Sequence, residues 1–325
     1  MKNLNFTKDI FVDTILINDE ILIKKLKTAK RDYRFSIILS SYRKKENLKN
    51  IIENLLLQKE QNFEILIIDD LMTNEIENIY ELFFNYENIN YIKKQLGSRS
   101  SAKNIAISYS KGEYIIFIEE EVKSLNQDYL LNFEKKIKTK YYDIIALKDT
   151  IFDYNRTGIE FLNDEILRKK EKIESCLAFY AIKKQFLNLY LLQFSTDILE
   201  GENLYFKIKL FNIVKNISYI DNISFIKKEG KRLNDNIIKN NEYISRKLKM
   251  IEKIEKYLSN IDNNDYLKYL CGYLYLETLK YVNDIKLEKS ILLSIAEREE
   301  YFKKDSFFKR FILKISPKIF IKKYL

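Results

Sequence analysis

The chain contains no histidine and no tryptophan, one proline (Pro317), six glycines and two cysteines (Cys176 and Cys271) in 325 residues. Without histidine there is no zinc finger of the Cys/His type and no triad that relies on an imidazole base. With only two cysteines, and no signal peptide at its start, the expectation is a reduced, cytoplasmic chain. Long apolar runs are also missing. The stretch around Ile10–Ile23 is too short to span a bilayer and is interrupted by Asp13, Asp19 and Glu20. The scarcity of Gly and Pro beside abundant Lys, Asn and Ile fits a low-GC coding bias, because codons for Gly, Pro and most Arg need G and C.

What is present is a globular composition: 46% apolar, 32% charged and 14% aromatic through 24 Tyr and 21 Phe. That mix excludes wholesale disorder, and the length predicts either one large α/β domain with an appendage or two domains. The net charge of +10 is concentrated near the end of the chain, where residues 301–325 hold eight Lys and Arg against one Asp. Such a tail suggests an anionic surface as partner. Nucleic acid is not the expected one, because the tail has no groove-reading or stacking motif.

Residues 1–34 read as an N-terminal extension. From Phe35 the pattern alternates between continuous apolar runs and helical spacing. FSIILS (35–40), EILII (64–68), 88–92 and YIIFI (114–118) are predicted strands. Helices are predicted over 46–58, 74–84 and 101–110, the last capped by Ser100 or Ser101. Buried strands alternating with helices predict a parallel sheet covered on both faces. Further on, 176–182 reads as a strand, 184–192 as a helix, 197–202 as an acidic loop, 204–214 as a helix and 217–220 as a strand. Residues 231–325 read as wholly helical and basic, with Tyr266, Tyr269, Tyr273 and Tyr275 as core residues. Around Phe307–Ile315 an apolar arc faces Lys309, Arg310 and Lys314.

In parallel sheets ligands bind beyond the carboxyl ends of the strands. There the first predicted strand is followed by Ser40, Ser41, Tyr42 and Arg43, the second by Asp69 and Asp70, and the fourth by Glu119, Glu120 and Glu121. Three successive acids repel one another unless a cation or hydrogen-bond donors compensate, so the choice is between a divalent-metal site and a solvated acidic turn.

These segments, in the order FSIILSSYRKKENL, FEILIIDD, GSRSSAKN, GEYIIFIEEEV and LEGENLYFKIKL, resemble the GT-A glycosyltransferases of family 2, inverting enzymes that use nucleotide sugars. The resemblance covers residues 35–230. It implies a GT-A α/β fold with a nucleotide-sugar-binding half (35–124) and an acceptor half (125–230), followed by the helical region 231–325. It implies that Ser40, Ser41 and Tyr42, with Glu46 behind them, hold base and ribose, and that Asp69 and Asp70 receive the base imide. Arg99, Ser100, Lys103 and Asn104 would face the donor, Lys103 in the family's Arg position, with a solvated helix start as the alternative for Arg99. Glu119 and Glu121 fall on the Asp-x-Asp positions that bridge Mn²⁺ or Mg²⁺ to the diphosphate, with Glu120 beside the donor.

Three departures accompany the match. Every acid of the metal motif is Glu, whose extra methylene loosens a tight octahedral shell. Asn203 replaces the family's catalytic Asp and has no useful proton affinity, leaving Glu202, with Glu200 and Asp197 as neighbours, to deprotonate the acceptor. The segment SFIKKEG lacks the family's His, and Lys227 or Lys228 stands there instead. Coding bias accounts for Lys in place of Arg but not for Glu in place of Asp. Two readings follow: a transferase that moves sugar from a nucleotide-sugar donor, UDP-linked by preference, to a glycan or lipid-linked acceptor of a bacterial surface polysaccharide such as a capsule, or a degenerate relative that binds a nucleotide, glycan or protein. The basic tail implies peripheral docking on the inner membrane face, the alternative being a helix packed on the domain.

Overall fold

A computed structural model describes residues 10–17, 20–27, 32–40, 45–69, 74–94, 98–148, 157–169, 176–221, 225–227, 241–261, 265–302 and 305. Two compact units are present: Met1–Thr157, Cys176–Asp197 and Val214–Glu229 form the first, and Gly158–Ser175, Ile198–Ile213 and Gly230–Leu325 form the second.

The first unit is built on Ile-rich strands that bury both faces. These are β3 (Phe35–Leu39), β4 (Phe63–Asp69), β5 (Ile89–Lys94) and β6 (Tyr114–Ile118), and every residue of β3, β4 and β6 is buried. They pair in parallel in the order β5-β4-β3-β6. β1 (Ile10–Ile17) and β2 (Glu20–Lys27) form an antiparallel hairpin that extends the sheet beyond β5. The stretch read as an extension therefore supplies two further strands, β1 at the sheet edge and β2 between β1 and β5. On the other side β9 (Tyr180–Lys183) pairs antiparallel with β6 and with β8 (Ile144–Lys148), and β8 pairs in parallel with β10 (Ile217–Asp221). A separate two-stranded sheet joins β7 (Val122–Leu125) to β11 (Phe225–Lys227).

The helices follow the apolar spacing. Leu48, Ile51, Ile52 and Leu55 of α1 (Lys45–Leu56) and Ile76, Ile79 and Tyr80 of α2 (Asn74–Leu82) join Phe35, Ile37 and Leu39 of β3 in one core. α3 (Arg99–Tyr109) buries the small residues Ala102 and Ala106, and α4 (Tyr129–Ile137) buries Tyr129, Leu130 and Phe133. The cap of α3 is Ser98, whose hydroxyl accepts from the Ser101 N–H, in place of the expected Ser100 or Ser101. The Ser100 side chain therefore has no capping role. The predicted strand 176–182 is a short 3₁₀ turn, Leu177–Phe179, running into β9, and the helix predicted over 184–192 is α6 (Lys184–Leu189).

At the amino end of the sheet a buried polar knot fixes the strand register. Glu64 accepts from Ser36 Oγ at 2.6 Å, from Asn90 Nδ2 at 3.4 Å and from the Lys111 N–H, while Ser36 Oγ accepts from the Gly112 N–H at 2.7 Å. A Cβ on Gly112 would lie 2.4 Å from Ser36 N and 2.5 Å from Phe35 C, both backbone atoms of a central strand. Gly112→Ala is expected to cost about 3 kcal/mol, the upper end for overpacking. Urea unfolding should show a lower midpoint, and an unchanged midpoint would contradict this tight approach.

The second unit is helical. α5 (Gly158–Lys169) meets α7 (Glu202–Ile213) through Phe161 and Phe211, stacked with centroids 5.0 Å apart. Tyr257 of α8 (Asn241–Leu258) lies edge-on to Tyr205 at 6.0 Å. α9 (Asp265–Leu279) is followed by α10 (Ile285–Glu297), and Arg298 just beyond it forks onto Glu255 at 2.6 and 3.0 Å. Tyr269 and Tyr273 both donate to Asp305, and Tyr275 donates to Glu255. These three tyrosines are core residues, as the sequence predicts, whereas Tyr266, expected with them, is half-buried. No helix among the described residues is long and apolar enough to cross a membrane. The apolar arc Phe307–Ile315 lies outside them, as do Ser41, Tyr42, Asp70, Lys228 and the side chain of Lys227.

Candidate functional site

Strand pairing places the carboxyl ends of β4, β3 and β6 side by side, since Leu39 is in register with Ile67 on one side and Ile118 on the other. The chain runs outward from β3 to β4 and β5, then returns to β6 on the opposite flank, so β3 and β6 border the switch point where parallel sheets bind ligands. Ser40 follows β3, Asp69 ends β4 and Glu119 follows β6.

Two hydroxyls at this end are buried without a hydrogen-bond partner among the described residues: Ser40 Oγ and Ser100 Oγ, the latter in the first turn of α3. A buried hydroxyl left unsatisfied costs about 1–3 kcal/mol. Both are in segments expected to face the donor, where a ligand would complete them.

Glu119 is buried, and its Oε1 lies 2.7 Å from Nζ of Lys103, whose side chain is fully buried. Lys103 Nζ also stands 5.0 Å from the centroid of Phe194. Burial and the negative charge of Glu119 push the Glu121 carboxyl above its ordinary range, opposed by backbone and Cys176 thiol hydrogen bonds and by the Lys103 ammonium. Two carboxylates thus share one ammonium, and a further cation would relieve their repulsion. Their all-oxygen donor set suits Mg²⁺ or Mn²⁺. No group of three or more candidate acidic or thiol ligands occurs among the described residues. Two carboxylates alone do not complete a divalent-cation shell, so an ion held by Glu119 and Glu121 would need further oxygen ligands.

The remaining expected residues divide into several environments. Asp69 is buried and accepts from the Tyr91 hydroxyl at 2.8 Å; Tyr91 stacks on Tyr80 with centroids 5.2 Å apart. Burial, then Asp69, pushes the Tyr91 phenol well up, so it remains a donor that orients the carboxylate. Glu120 accepts from Asn47 Nδ2 of α1 at 2.9 Å. Glu46 is exposed in the first turn of α1 and Arg99 is half-buried at the start of α3. Asn104 is engaged at both amide atoms by the backbone of Phe194, at 2.9 and 2.8 Å.

Of the candidate bases, Asp197 belongs to the first unit, is exposed and accepts from Ser195 Oγ at 3.0 Å. Glu200 and Glu202 belong to the second. Glu202 is buried at the first position of α7, directly after Gly201, whose φ of +77° favours glycine. Glu200 is half-buried; after burial itself, its charge is the next cause holding the Tyr243 phenol up at about 12.

Sequence reading did not single out Tyr91, Phe194 or Cys176 for the site. Tyr91 shows only as a strand aromatic, Phe194 stands in a loop, and Cys176 reads as a buried apolar position. Each acts through a contact distant in sequence.

Residues 36–172 match the family described as Glycosyl transferase family 2. A glycosyltransferase of uncharacterized activity from Rickettsia felis is 26% identical over 139 residues, 43% of this chain and 21% of that protein. The minor teichoic acid biosynthesis protein GgaB of Bacillus subtilis is 31% identical over 140 residues, 41% of this chain and 15% of that protein. The chain thus spans about a fifth or less of the length of these curated relatives. Among solved structures, Staphylococcus aureus TarS 1-349 in complex with UDP-GlcNAc is similar with a TM-score of 0.61 at 15% identity, covering 90% of this chain and 89% of that one. Mannosyltransferase PcManGT from Pyrobaculum calidifontis, in complex with GDP-Man and Mn²⁺, follows with a TM-score of 0.55 at 14% identity over 90% and 82% of the two chains. The chain has the GT-A fold, and its residues 36–172 carry the sequence pattern of glycosyl transferase family 2.

Proposed function

We propose that the chain is a glycosyltransferase that takes sugar from a nucleotide-sugar donor, UDP-linked by preference, and passes it with inversion to a hydroxyl of a glycan or lipid-linked glycan of a bacterial surface polymer. The observation that carries this reading is the carboxyl end of the sheet: two buried serine hydroxyls with no partner among the described residues, together with the Lys103–Glu119–Glu121 charge cluster. The UDP-GlcNAc bound by TarS supports the choice of donor, and the teichoic acid pathway named for GgaB supports a surface-polymer acceptor.

In this reading Ser40, Ser100 and Asp69, with Ser41, Tyr42 and Asp70, hold the nucleotide. Tyr91 fixes the Asp69 carboxylate as an acceptor for a base N–H. Glu119 and Glu121 hold a divalent ion, which when bound supplies positive charge to the departing diphosphate. Lys103 holds the Glu119 carboxylate in place through their 2.7 Å ion pair. Glu202, with Glu200 and Asp197 as alternatives, takes the proton of the acceptor hydroxyl as its oxygen attacks the anomeric carbon opposite the leaving group. The cationic tail 301–325 would dock the protein on an anionic membrane face.

A second reading, nucleotide binding without transfer, draws on Glu119 already being satisfied by Lys103 and on Asn203 standing where an acid is expected. UDP release from UDP-GlcNAc in Mn²⁺, with wild type and Glu121→Ala, separates the two. The transfer reading expects steady release that falls at least about tenfold in the variant, because losing one charge-assisted contact costs about 1.5–3 kcal/mol. UDP binding with no release from any UDP or GDP sugar, in the presence of membrane acceptors, favours the second.

A further inference from the structure

We propose that Asn104 is a positioning residue, not a donor ligand: it clamps the backbone of Phe194 and thereby holds that ring over the Lys103–Glu119 ion pair. The inference rests on the reading above for the role of the ion pair, and all its parts lie in the first unit.

Asn104 Nδ2 donates to the Phe194 carbonyl oxygen at 2.9 Å, and the Phe194 N–H donates to Asn104 Oδ1 at 2.8 Å. The side-chain amide uses a donor and its acceptor on one residue, as a neighbouring strand would, which fixes the position and tilt of that residue. Only Asn supplies both groups at this reach, since Asp lacks the donor and Gln carries an extra methylene. The clamped residue is itself buried, and its ring meets Phe117 of β6 edge-on with centroids 5.2 Å apart.

Lys103, the preceding residue of α3, lies against the ring of the same Phe194, with Nζ 5.0 Å from its centroid and 2.7 Å from Glu119 Oε1. Consecutive residues of one helix thus hold the backbone and the ring of Phe194. The aromatic face favours the ammonium and keeps water from it, and a drier ion pair holds its geometry more firmly. Loosening the backbone of Phe194 lets the ring tilt, admits water to Lys103 and frees Glu119 to change rotamer. The same segment continues to Ser195 and Asp197, joined by a 3.0 Å hydrogen bond, so the clamp also sets where that loop begins. An amide committed in this way has one N–H left, a poor starting point for a direct donor contact.

The test compares full-length wild type, Asn104→Ala and Asn104→Asp by three readouts: amide hydrogen exchange across residues 193–197, UDP affinity with and without Mn²⁺, and kcat for UDP release from UDP-GlcNAc. Alanine removes both hydrogen bonds, so exchange at the Phe194 amide should accelerate about tenfold or more and kcat should fall about tenfold. UDP affinity measured without Mn²⁺ should stay within about twofold, while the gain that Mn²⁺ brings should shrink as Glu119 loses its position. Aspartate keeps the acceptor for the Phe194 N–H and should show a smaller gain in exchange; it keeps the test decisive if the alanine variant does not fold. Phe194 exchange unchanged in both variants, or a tenfold loss of UDP affinity with normal exchange, overturns the proposal. Exchange is measured without substrate, so a wild type that releases no UDP sinks the transferase reading while the clamp is still decided.

Discussion

Glu202→Gln is expected to lower sugar transfer by about 10²- to 10⁴-fold, the usual contribution of a positioned general base. UDP affinity should stay within twofold, because the donor groups lie on other segments. Glu202 is buried at the start of α7, after a left-handed Gly201 that a Cβ-bearing residue would strain. Gln keeps the shape and hydrogen-bonding reach of Glu while removing its proton affinity, so a loss of turnover without a loss of binding would locate the defect in proton transfer. Full transfer by this variant would move the role to Glu200 or Asp197, to be tested by the corresponding Gln and Asn substitutions.

Lys103→Met is expected to produce the largest loss of stability. The Lys103 side chain is 0% exposed and its partner Glu119 only 6%, so removing the ammonium leaves a carboxylate buried without its counter-ion and beside a second acid, Glu121. Breaking a buried ion pair from one side costs about 3–5 kcal/mol. The double variant Lys103→Met with Glu119→Leu should regain most of that loss, because replacing both charges by apolar groups is often neutral or better. Thermal melts of the two variants and wild type read the difference directly. Equal destabilisation of single and double variants would mean that the ion pair is not what makes Lys103 necessary.

Legibility in the sequence followed burial. β3, β4, β6 and the helices between them are continuous Ile-rich runs or 3.6-period faces, because both sheet faces are covered and polar groups enter only where they are paired, as Ser36 and Glu64 are. The β1–β2 hairpin is hard to read because charges such as Asp13 of β1 and Lys24 of β2 break up its apolar runs. β7, β8 and β11 are short, and strands of three to five residues give little period to detect. Ser40 and Glu119 stand where the apolar pattern ends predicted strands, and Lys103 is reached only through the family resemblance. Partnerships could not be named, since the Tyr91–Asp69 bond, the Asn104–Phe194 clamp and the Ser98 cap depend on how segments distant or adjacent in sequence meet in space. That α5 and α7 pack on each other through Phe161 and Phe211, in the helical unit, was hidden for the same reason.

The central claim is that the carboxyl end of β3, β4 and β6 binds a nucleotide diphosphate, with Glu119 and Glu121 holding a divalent ion. Calorimetric titration of UDP, GDP and CDP into the protein, with and without Mn²⁺ and repeated on Glu121→Ala, tests it most directly. The account predicts that UDP binds in preference to the others, that Mn²⁺ strengthens binding at least about tenfold, and that Glu121→Ala abolishes this gain, since two carboxylates and a diphosphate are needed to hold the ion. No binding of any nucleotide in either condition, or binding of UDP indifferent to both Mn²⁺ and Glu121, would contradict it.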